Sequence, residues 1–139
     1  MAGGSARRIL VVEDERHIAR FLEYVLRKEG YAGETVFDGA AAEDKVRGSS
    51  FHAILLDLGL PHRTGLEVLA LIRSENLTPR PIVIVLTAKS SGDVQDQVLS
   101  AGADAYCPKP VAPSALLKKL TELGVTPHDV GSGPAAAIH

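Results

Sequence analysis

The sequence predicts an α/β fold in which helices cover both faces of one parallel sheet, and two observations support this prediction. Apolar runs of strand length alternate along the chain with segments whose apolar residues recur at three- and four-residue spacing, which indicates repeated strand–helix units. The run Ile54-Leu55-Leu56 is continuous rather than alternating, which is typical of a strand buried between two layers of helices. Right-handed crossovers between the parallel strands then leave few possible topologies.

Five strands are predicted where an apolar run stops at a polar residue or a turn. The third strand ends at Asp57, the fourth ends at Thr87, and the fifth ends just before Lys109. The predicted strand ranges are residues 9–14, 31–36, 51–57, 81–87 and 105–108.

Five helices are predicted between and after these strands, each next to a residue that starts or stops a helix. Asp14 and Asp38 are predicted to cap the first and second helices, because a carboxylate accepts hydrogen bonds from the free N–H groups of a first turn. Pro113 is predicted to be the first residue of the last helix, where its fixed φ is favourable. Glycines mark three of the helix ends: Gly30, Gly48 and Gly102. The predicted helix ranges are residues 15–29, 40–47, 65–74, 91–101 and 113–123.

The composition is that of a globular protein, and it excludes several classes of function. Of the 139 residues, 45% are hydrophobic and 23% are charged, and the net charge of −2 argues against a basic nucleic-acid-binding protein. The single cysteine cannot form an internal disulfide. No apolar stretch is long enough to span a bilayer, and the N-terminus lacks the apolar core of a signal peptide. A cytoplasmic protein is therefore expected.

The chain is predicted to contain one domain, over residues 8–123. Residues 1–7 are predicted to be a disordered N-terminal segment. Residues 124–139 combine glycine, serine, proline and alanine without periodicity, which is typical of a flexible tail or the stump of a linker. No internal repeat and no second domain is predicted.

Chemically reactive side chains stand at the carboxyl ends of four predicted strands. They are Glu13, Asp14, Asp57, Thr87 and Lys109. Ligands of open α/β sheets bind in the crevice beyond these strand ends, and oxygen-only ligands suit a hard cation such as Mg²⁺. A metal, an ammonium, a hydroxyl and one further carboxylate are the groups needed for phosphoryl transfer to an aspartate.

Four motifs, in this order and each at a strand end, resemble the receiver domain of two-component response regulators. They are Val-Val-Glu13-Asp14-Glu, Leu-Leu-Asp57-Leu-Gly-Leu-Pro61 followed by Gly65, Leu-Thr87-Ala88, and Gly-Ala-Asp-Ala-Tyr106-Cys-Pro-Lys109-Pro110. The resemblance covers about residues 8–123, and within this family the chain looks like the chemotaxis regulators. It implies a flavodoxin-like five-stranded sheet in the strand order 2-1-3-4-5.

The resemblance also implies a role for each matching residue. Asp57 would accept a phosphoryl group from a phosphohistidine, and Mg²⁺ would be held by Asp14, Asp57 and the carbonyl of Gly59, with Glu13 acting through water. The phosphoryl group would be bound by Thr87, Ala88 and Lys109. Thr87 and Tyr106 would form the switch that changes a protein-binding face, and the Lys109–Pro110 peptide bond would be cis.

The partners implied by the resemblance are a sensor histidine kinase or a histidine phosphotransfer protein, and an output protein or a missing effector domain. No direct contact of this chain with nucleic acid or a membrane is implied. Ala105 replaces an aspartate common in dimeric relatives, so a monomer or a weak dimer is expected. The domain would catalyse only its own phosphorylation and dephosphorylation.

Two alternatives remain beside this interpretation. The chain could be a constitutive interaction module with the same fold and no phosphorylation. It could also be a Mg²⁺-dependent phosphatase of the haloacid-dehalogenase type, but that family needs a second acid two residues after the nucleophile, where this chain has Gly59. Taken alone, Tyr106 could be a packed aromatic residue, and Glu13 could do no more than solvate the edge of the sheet.

Overall fold

The computed structural model describes residues 6–60, 64–88 and 92–127, and these form a five-stranded parallel sheet. The strands are β1 (Arg8–Val12), β2 (Ala32–Val36), β3 (Ala53–Asp57), β4 (Ile82–Thr87) and β5 (Ala105–Pro108). Their order in the sheet is β2-β1-β3-β4-β5, and each neighbouring pair is parallel. The predicted fold class and strand order are confirmed.

Five helices cover the two faces of the sheet. They are α1 (Arg16–Lys28), α2 (Gly39–Gly48), α3 (Gly65–Ser74), α4 (Gly92–Ser100) and α5 (Pro113–Glu122). Buried side chains of α2, α3 and α4 pack on one face, and those of α1 and α5 pack on the other. Within the described residues, none of the helices combines the length and the apolar character needed to cross a membrane.

The central strand β3 has the burial that its sequence predicts. Ile54 and Leu56 face the cluster beneath α2, α3 and α4, whereas Ala53 and Leu55 face the cluster beneath α1 and α5. All four are fully buried, because successive side chains of a strand point to opposite faces and both faces here carry helices. The last residue, Asp57, is therefore held by a rigid strand with its carboxylate at the edge of the sheet.

The predicted helix boundaries agree with the observed ones within two residues, but one predicted cap is wrong. Glu15, not Asp14, is the N-cap residue of α1, and it makes no side-chain cap hydrogen bond. The Glu15 N–H instead donates to Oε2 of Glu13 at 3.2 Å. The predicted cap at Asp38 is confirmed, since its carboxylate accepts from the N–H of Ala41 at 2.8 Å. Ser91, the predicted start of α4, lies outside the described residues.

The chain after α5 packs against the amino-terminal edge of the sheet. Gly124 has a φ of +87°, a left-handed conformation that turns the chain back. Val125 is buried, and its carbonyl accepts the buried hydroxyl of Tyr31 at 2.6 Å. The N–H of Arg7 donates to the carbonyl of Pro127 at 2.9 Å. Residues 124–127, from the predicted flexible tail, and residues 6–7, from the predicted disordered segment, are thus packed together. The rest of both predicted segments lies outside the described residues.

Candidate functional site

The candidate site lies where the winding of the chain through the sheet changes direction. From β1 the chain passes to β2, then crosses back to β3 on the other side of β1. The carboxyl ends of strands leave a crevice at such a switch point. Glu13 and Asp14 directly follow β1, and Asp57 is the last residue of β3. The three carboxylates predicted from the sequence therefore meet at this crevice.

These carboxylates form a cluster of the kind that binds a hard cation. One oxygen from each of Glu13, Asp14 and Asp57 lies within 4.8 Å of the other two. Glu13 is fully buried and Asp57 is 5% exposed, whereas Asp14 is exposed to solvent. Carboxylate oxygens are the donors that Mg²⁺ prefers, together with water and carbonyl groups. The donor set therefore fits the cofactor that the family resemblance implies.

Lys109 supplies a positive charge that is shared by two of the acids. Its Nζ lies 3.0 Å from Oε1 of Glu13 and 3.0 Å from Oδ1 of Asp57. Burial by itself lowers the pKa of Lys109, but the contacts with Asp57 and Glu13 outweigh it and the net pKa is raised. The ammonium therefore stays charged at neutral pH and offsets the mutual repulsion of the carboxylates.

Glu13 has the opposite balance of effects. Burial raises the pKa of its carboxyl, the contact with Lys109 opposes this increase, and the Asp57 carboxylate adds to it. The net pKa is raised. Both Glu13 oxygens already have partners inside the protein, Oε1 in Lys109 and Oε2 in the N–H of Glu15. Glu13 is thus the most constrained acid of the cluster, and Asp14 is the most accessible one.

The backbone just beyond β3 holds the Asp57 carboxylate in place. The N–H of Leu58 donates to the carbonyl of Leu86 at 2.9 Å, which extends the pairing of β3 with β4. The N–H of Gly59 donates to Oδ1 of Asp57 at 3.1 Å. A side chain at position 59 would begin 3.9 Å from this oxygen. A side chain at this position would therefore lie beside the carboxylate, whereas glycine places none there.

Thr87 and Ala88 complete the site from the neighbouring strand. Thr87 ends β4 with 2% of its surface exposed, and its carbonyl accepts the N–H of Lys109 at 2.8 Å. A cleft of about 320 Å³ opens above these strand ends. Its lining consists of Asp14, Glu15, Asp57, Leu58, Gly59, Thr87, Ala88 and Lys109. Each residue predicted to contact the metal or the phosphoryl group lines this cleft, except the buried Glu13.

Tyr106 lies outside the cleft. Its ring is partly buried and packs against the apolar cluster beneath α2, α3 and α4. Nζ of Lys119 in α5 lies 5.8 Å from the ring centroid, a distance at which a cation and an aromatic face attract each other. Tyr106 pairs with Val85 of β4, two residues before Thr87. The ring therefore lies beside β4, the strand that ends at Thr87, and next to α5.

Of two backbone features at the site, the sequence motifs predict one and not the other. The Lys109–Pro110 peptide bond is cis, at the position named from the motif. The close approach of Gly65 to β3, where an added β-carbon would lie 2.6 Å from the carbonyl oxygen of Asp57, is not predicted by the motif that contains Gly65. A glycine at the first position of a helix, eight residues after a strand-end acid, is the signal that could have identified it.

Comparison with known proteins gives the same result as the geometry. The family model of the response regulator receiver domain matches residues 9–121. The response regulator ArlR of Staphylococcus aureus is 43% identical over 114 residues, which covers 81% of this chain and 50% of that protein. The chain thus spans about half the length of the curated relatives it matches.

Solved structures agree in fold as well as in sequence. One is the receiver domain of a sensor histidine kinase of Pseudomonas aeruginosa, crystallised with a magnesium ion coordinated in the active site cleft; it is 30% identical, with a TM-score of 0.77, and the match covers 85% of this chain and 97% of that one. Another is the receiver domain of the response regulator Ssk1 of Saccharomyces cerevisiae, in complex with the histidine phosphotransfer protein Ypd1. It is 29% identical, with a TM-score of 0.80, and the match covers 87% of this chain and 90% of that one. This chain therefore belongs to the response regulator receiver domains of two-component signal transduction.

Proposed function

We propose that Asp57 is the residue of this receiver domain that accepts the phosphoryl group, and that the donor is a phosphohistidine. One observation carries the assignment: Asp57 is fixed at the end of the central strand, opens into the cleft, and has Nζ of Lys109 3.0 Å from its Oδ1. Asp14, the other aspartate of the cleft, follows its strand and is exposed to solvent. A rigid nucleophile beside a fixed positive charge is what phosphoryl transfer requires.

Mg²⁺ would be held by Asp14, Asp57 and the carbonyl of Gly59, and Glu13 would act on it through water. The acidic cluster and the exposed backbone of Gly59 support this division. When bound, the cation neutralises negative charge on the transferring group. The buried Glu13 is already engaged by Lys109 and by the N–H of Glu15, which favours an indirect role.

In the transfer step an oxygen of Asp57 forms a bond to phosphorus as the bond between phosphorus and the imidazole nitrogen breaks. The electron pair of the broken bond remains on that imidazole nitrogen, and the donor leaves as a neutral histidine because the other ring nitrogen of the phosphohistidine carries a proton. The product carries additional negative charge on its phosphoryl oxygens. Lys109, the hydroxyl of Thr87 and the N–H of Ala88 line the same cleft, and we assign to them the stabilisation of these oxygens.

Signal output would start from the same oxygens. A hydrogen bond from the Thr87 hydroxyl to the phosphoryl group would draw its side chain toward Asp57, and Tyr106 would turn into the space that this movement opens. Tyr106 lies in β5 with its ring against the apolar cluster and near Lys119 of α5, which supports its role as the switch. The output is a change in the shape of that face, which requires two arrangements of similar energy.

The donor would be a sensor histidine kinase or a histidine phosphotransfer protein, and the receptor of the signal would be an output protein or an effector domain. The complex of Ssk1 with Ypd1 and the greater length of ArlR support these assignments. We further propose that the domain spans residues 8–123, with residues 6–7 and 124–127 packed onto its edge. It would work in the cytoplasm as a monomer or weak dimer and turn over no substrate besides its own phosphoryl group.

Intact-mass analysis after incubation with acetyl phosphate and Mg²⁺ tests the proposal. The wild-type protein should gain the mass of one phosphoryl group, and the gain should disappear when Mg²⁺ is chelated. Asp57→Ala should show no gain, whereas Asp44→Ala, which removes an exposed carboxylate of α2, should behave as wild type. A full-yield adduct on Asp57→Ala would show that another residue is the acceptor. A wild-type protein that is never modified would favour the constitutive interaction module.

A further inference from the structure

The first residue of α3 touches the backbone of the acceptor strand. A β-carbon placed on Gly65 would lie 2.6 Å from the carbonyl oxygen of Asp57 and 2.6 Å from Cα of Leu58. Real β-carbons essentially never approach other atoms so closely. The N–H of Gly65 also donates to the carbonyl of Leu58 at 3.0 Å. Helix α3 therefore begins in direct contact with the backbone of the proposed phosphoacceptor and of the residue that follows it.

Neither side of this contact can move away easily. Asp57 is paired with Leu86 of β4, and the N–H of Leu58 is bonded to the Leu86 carbonyl. Helix α3 is held by side chains that are at most 1% exposed, Val68, Leu69 and Ile72. Close-packed interiors pass strain on to the nearest softer segment instead of absorbing it. At this contact the softer segment begins at Gly59, which is exposed.

We infer that Gly65 is a positioning residue for phosphorylation: its missing side chain lets α3 start against β3, and that contact places the N–H and the carbonyl of Gly59 around Asp57. The inference rests on the proposed function, in which the Gly59 carbonyl binds Mg²⁺. The Gly59 N–H already donates to Oδ1 of Asp57 at 3.1 Å. A methyl group at position 65 displaces the Leu58–Gly59 backbone, so the bound cation loses a correctly placed ligand.

The first turn of α3 is built to keep this geometry. The Thr64 hydroxyl accepts the N–H of Glu67 at 3.2 Å, and the Glu67 carboxylate accepts the N–H of Thr64 at 2.8 Å. This reciprocal pair is a capping box, which fixes where a helix starts. Both features therefore act on the first turn of α3. The capping box fixes where the helix starts, and Gly65 leaves room for β3.

Calorimetric Mg²⁺ titrations of the wild type, Gly65→Ala and Gly48→Ala test the inference. Gly48 ends α2 and has no atom within 4 Å of an added β-carbon, so its variant is a matched glycine-to-alanine control. Gly65→Ala should raise the Mg²⁺ dissociation constant by about tenfold, the scale at which misplaced supporting groups act, and Gly48→Ala should leave it unchanged. A purely structural role would reduce the folded fraction but leave the dissociation constant of the folded protein unchanged.

Amide chemical shifts supply a second measurement, which a change in the stability of the fold alone would not alter. The Gly59 amide resonance of folded Gly65→Ala should shift, since its hydrogen bond to Asp57 changes. If Gly65→Ala does not fold, Thr64→Ala serves in its place, because it loosens the same turn and keeps the glycine. An unchanged Mg²⁺ dissociation constant in the folded variant would overturn the inference. Absence of Mg²⁺ binding by the wild type would overturn the proposed function itself.

Discussion

Glu13 and Asp14 are neighbours in the sequence, but their carboxylates have different surroundings. The Glu13 carboxylate is fully buried between Lys109 and the N–H of Glu15, while Asp14 is exposed and lines the cleft. A ligand that binds a cation directly must give up other partners and face the ion. Asp14 meets this requirement, and Glu13 is better suited to hold Lys109 and to orient water.

This difference predicts unequal effects of removing each charge. Asp14→Asn should weaken Mg²⁺ binding by more than about 100-fold, whereas Glu13→Gln should weaken it by about tenfold, as is typical of groups outside the ligand shell. Both substitutions keep the shape of the side chain and remove one negative charge. Mg²⁺ titration calorimetry measures both effects, with Asp44→Asn as the surface control. Equal losses in the two variants would contradict the assignment of Asp14 as the direct ligand.

At the residue scale the sequence was most informative where a strand end fixes a side chain. Asp57, Thr87 and Lys109 could be placed together because parallel strands bring their carboxyl ends to one edge. The partners of Glu13 could not be predicted in this way. Its ion pair with Lys109 depends on how far the lysine side chain extends in three dimensions. Because that side chain reaches Glu13, Asp14 is the acid that remains accessible.

At the scale of elements, β4 and β5 link the cleft to the α4–β5–α5 face. Thr87 ends β4, its carbonyl accepts the N–H of Lys109, and Tyr106 of β5 pairs with Val85. A movement of the Thr87 side chain therefore has a short route to the Tyr106 ring, and from there to Lys119 of α5. The strands themselves are buried and hydrogen-bonded, so the proposed response would pass through side chains and not through a shift of the backbone.

This route predicts that Thr87→Ala separates binding from output. The variant should still bind beryllofluoride with Mg²⁺ at Asp57, but the amide shift changes of α4, β5 and α5 should be lost. Thr87→Ser keeps the hydroxyl and should retain those changes. Amide spectra recorded with and without beryllofluoride measure the effect. Wild-type shift changes in Thr87→Ala would mean that the coupling does not depend on Thr87.

Helix positions were predictable from apolar spacing, but details at the helix ends and faces were not. Asp14 precedes α1 with the residue type of a cap, but α1 begins at Arg16, so the N-cap position falls one residue later, at Glu15. Phe21 and Leu99 fit the apolar stripes of α1 and α4, yet they are 44% and 43% exposed. Spacing gives a broad apolar face, and the width of the underlying sheet decides how much of that face is covered.

At the scale of the whole molecule, Tyr31, just before β2, joins the sheet to the segment that follows α5. Its hydroxyl donates to the buried Val125 carbonyl at 2.6 Å. Tyr31→Phe should therefore lower the free energy of unfolding by about 1–3 kcal/mol, because it leaves a buried carbonyl without a partner. Denaturant unfolding measures the loss. Tyr24→Phe, at an exposed tyrosine of α1, is the control and should leave the free energy of unfolding unchanged. A loss of similar size in both variants would contradict the role of the buried bond.

The same hydroxyl predicts a pH dependence. Burial, aided by the charge of Glu29, raises the pKa of Tyr31 to about 12 in the folded protein, against about 10 in an unfolded chain. Because the folded pKa is the higher one, this stabilisation is complete below pH 10 and declines as the pH rises toward 12. The difference in the free energy of unfolding between the wild type and Tyr31→Phe should narrow over that interval. A difference in the free energy of unfolding that stays constant between pH 10 and 12 would contradict this pH dependence.

The anchoring of Val125 and Pro127 lies at the end of the sheet opposite the cleft. Pro127 accepts the N–H of Arg7, one residue before β1, so Pro127 lies at the amino-terminal edge of the sheet. The five-residue β3 spans about 17 Å between that edge and Asp57. The proposed phosphodonor would approach from the opposite edge, where the cleft opens, so the contacts that anchor Val125 and Pro127 would stay clear of it.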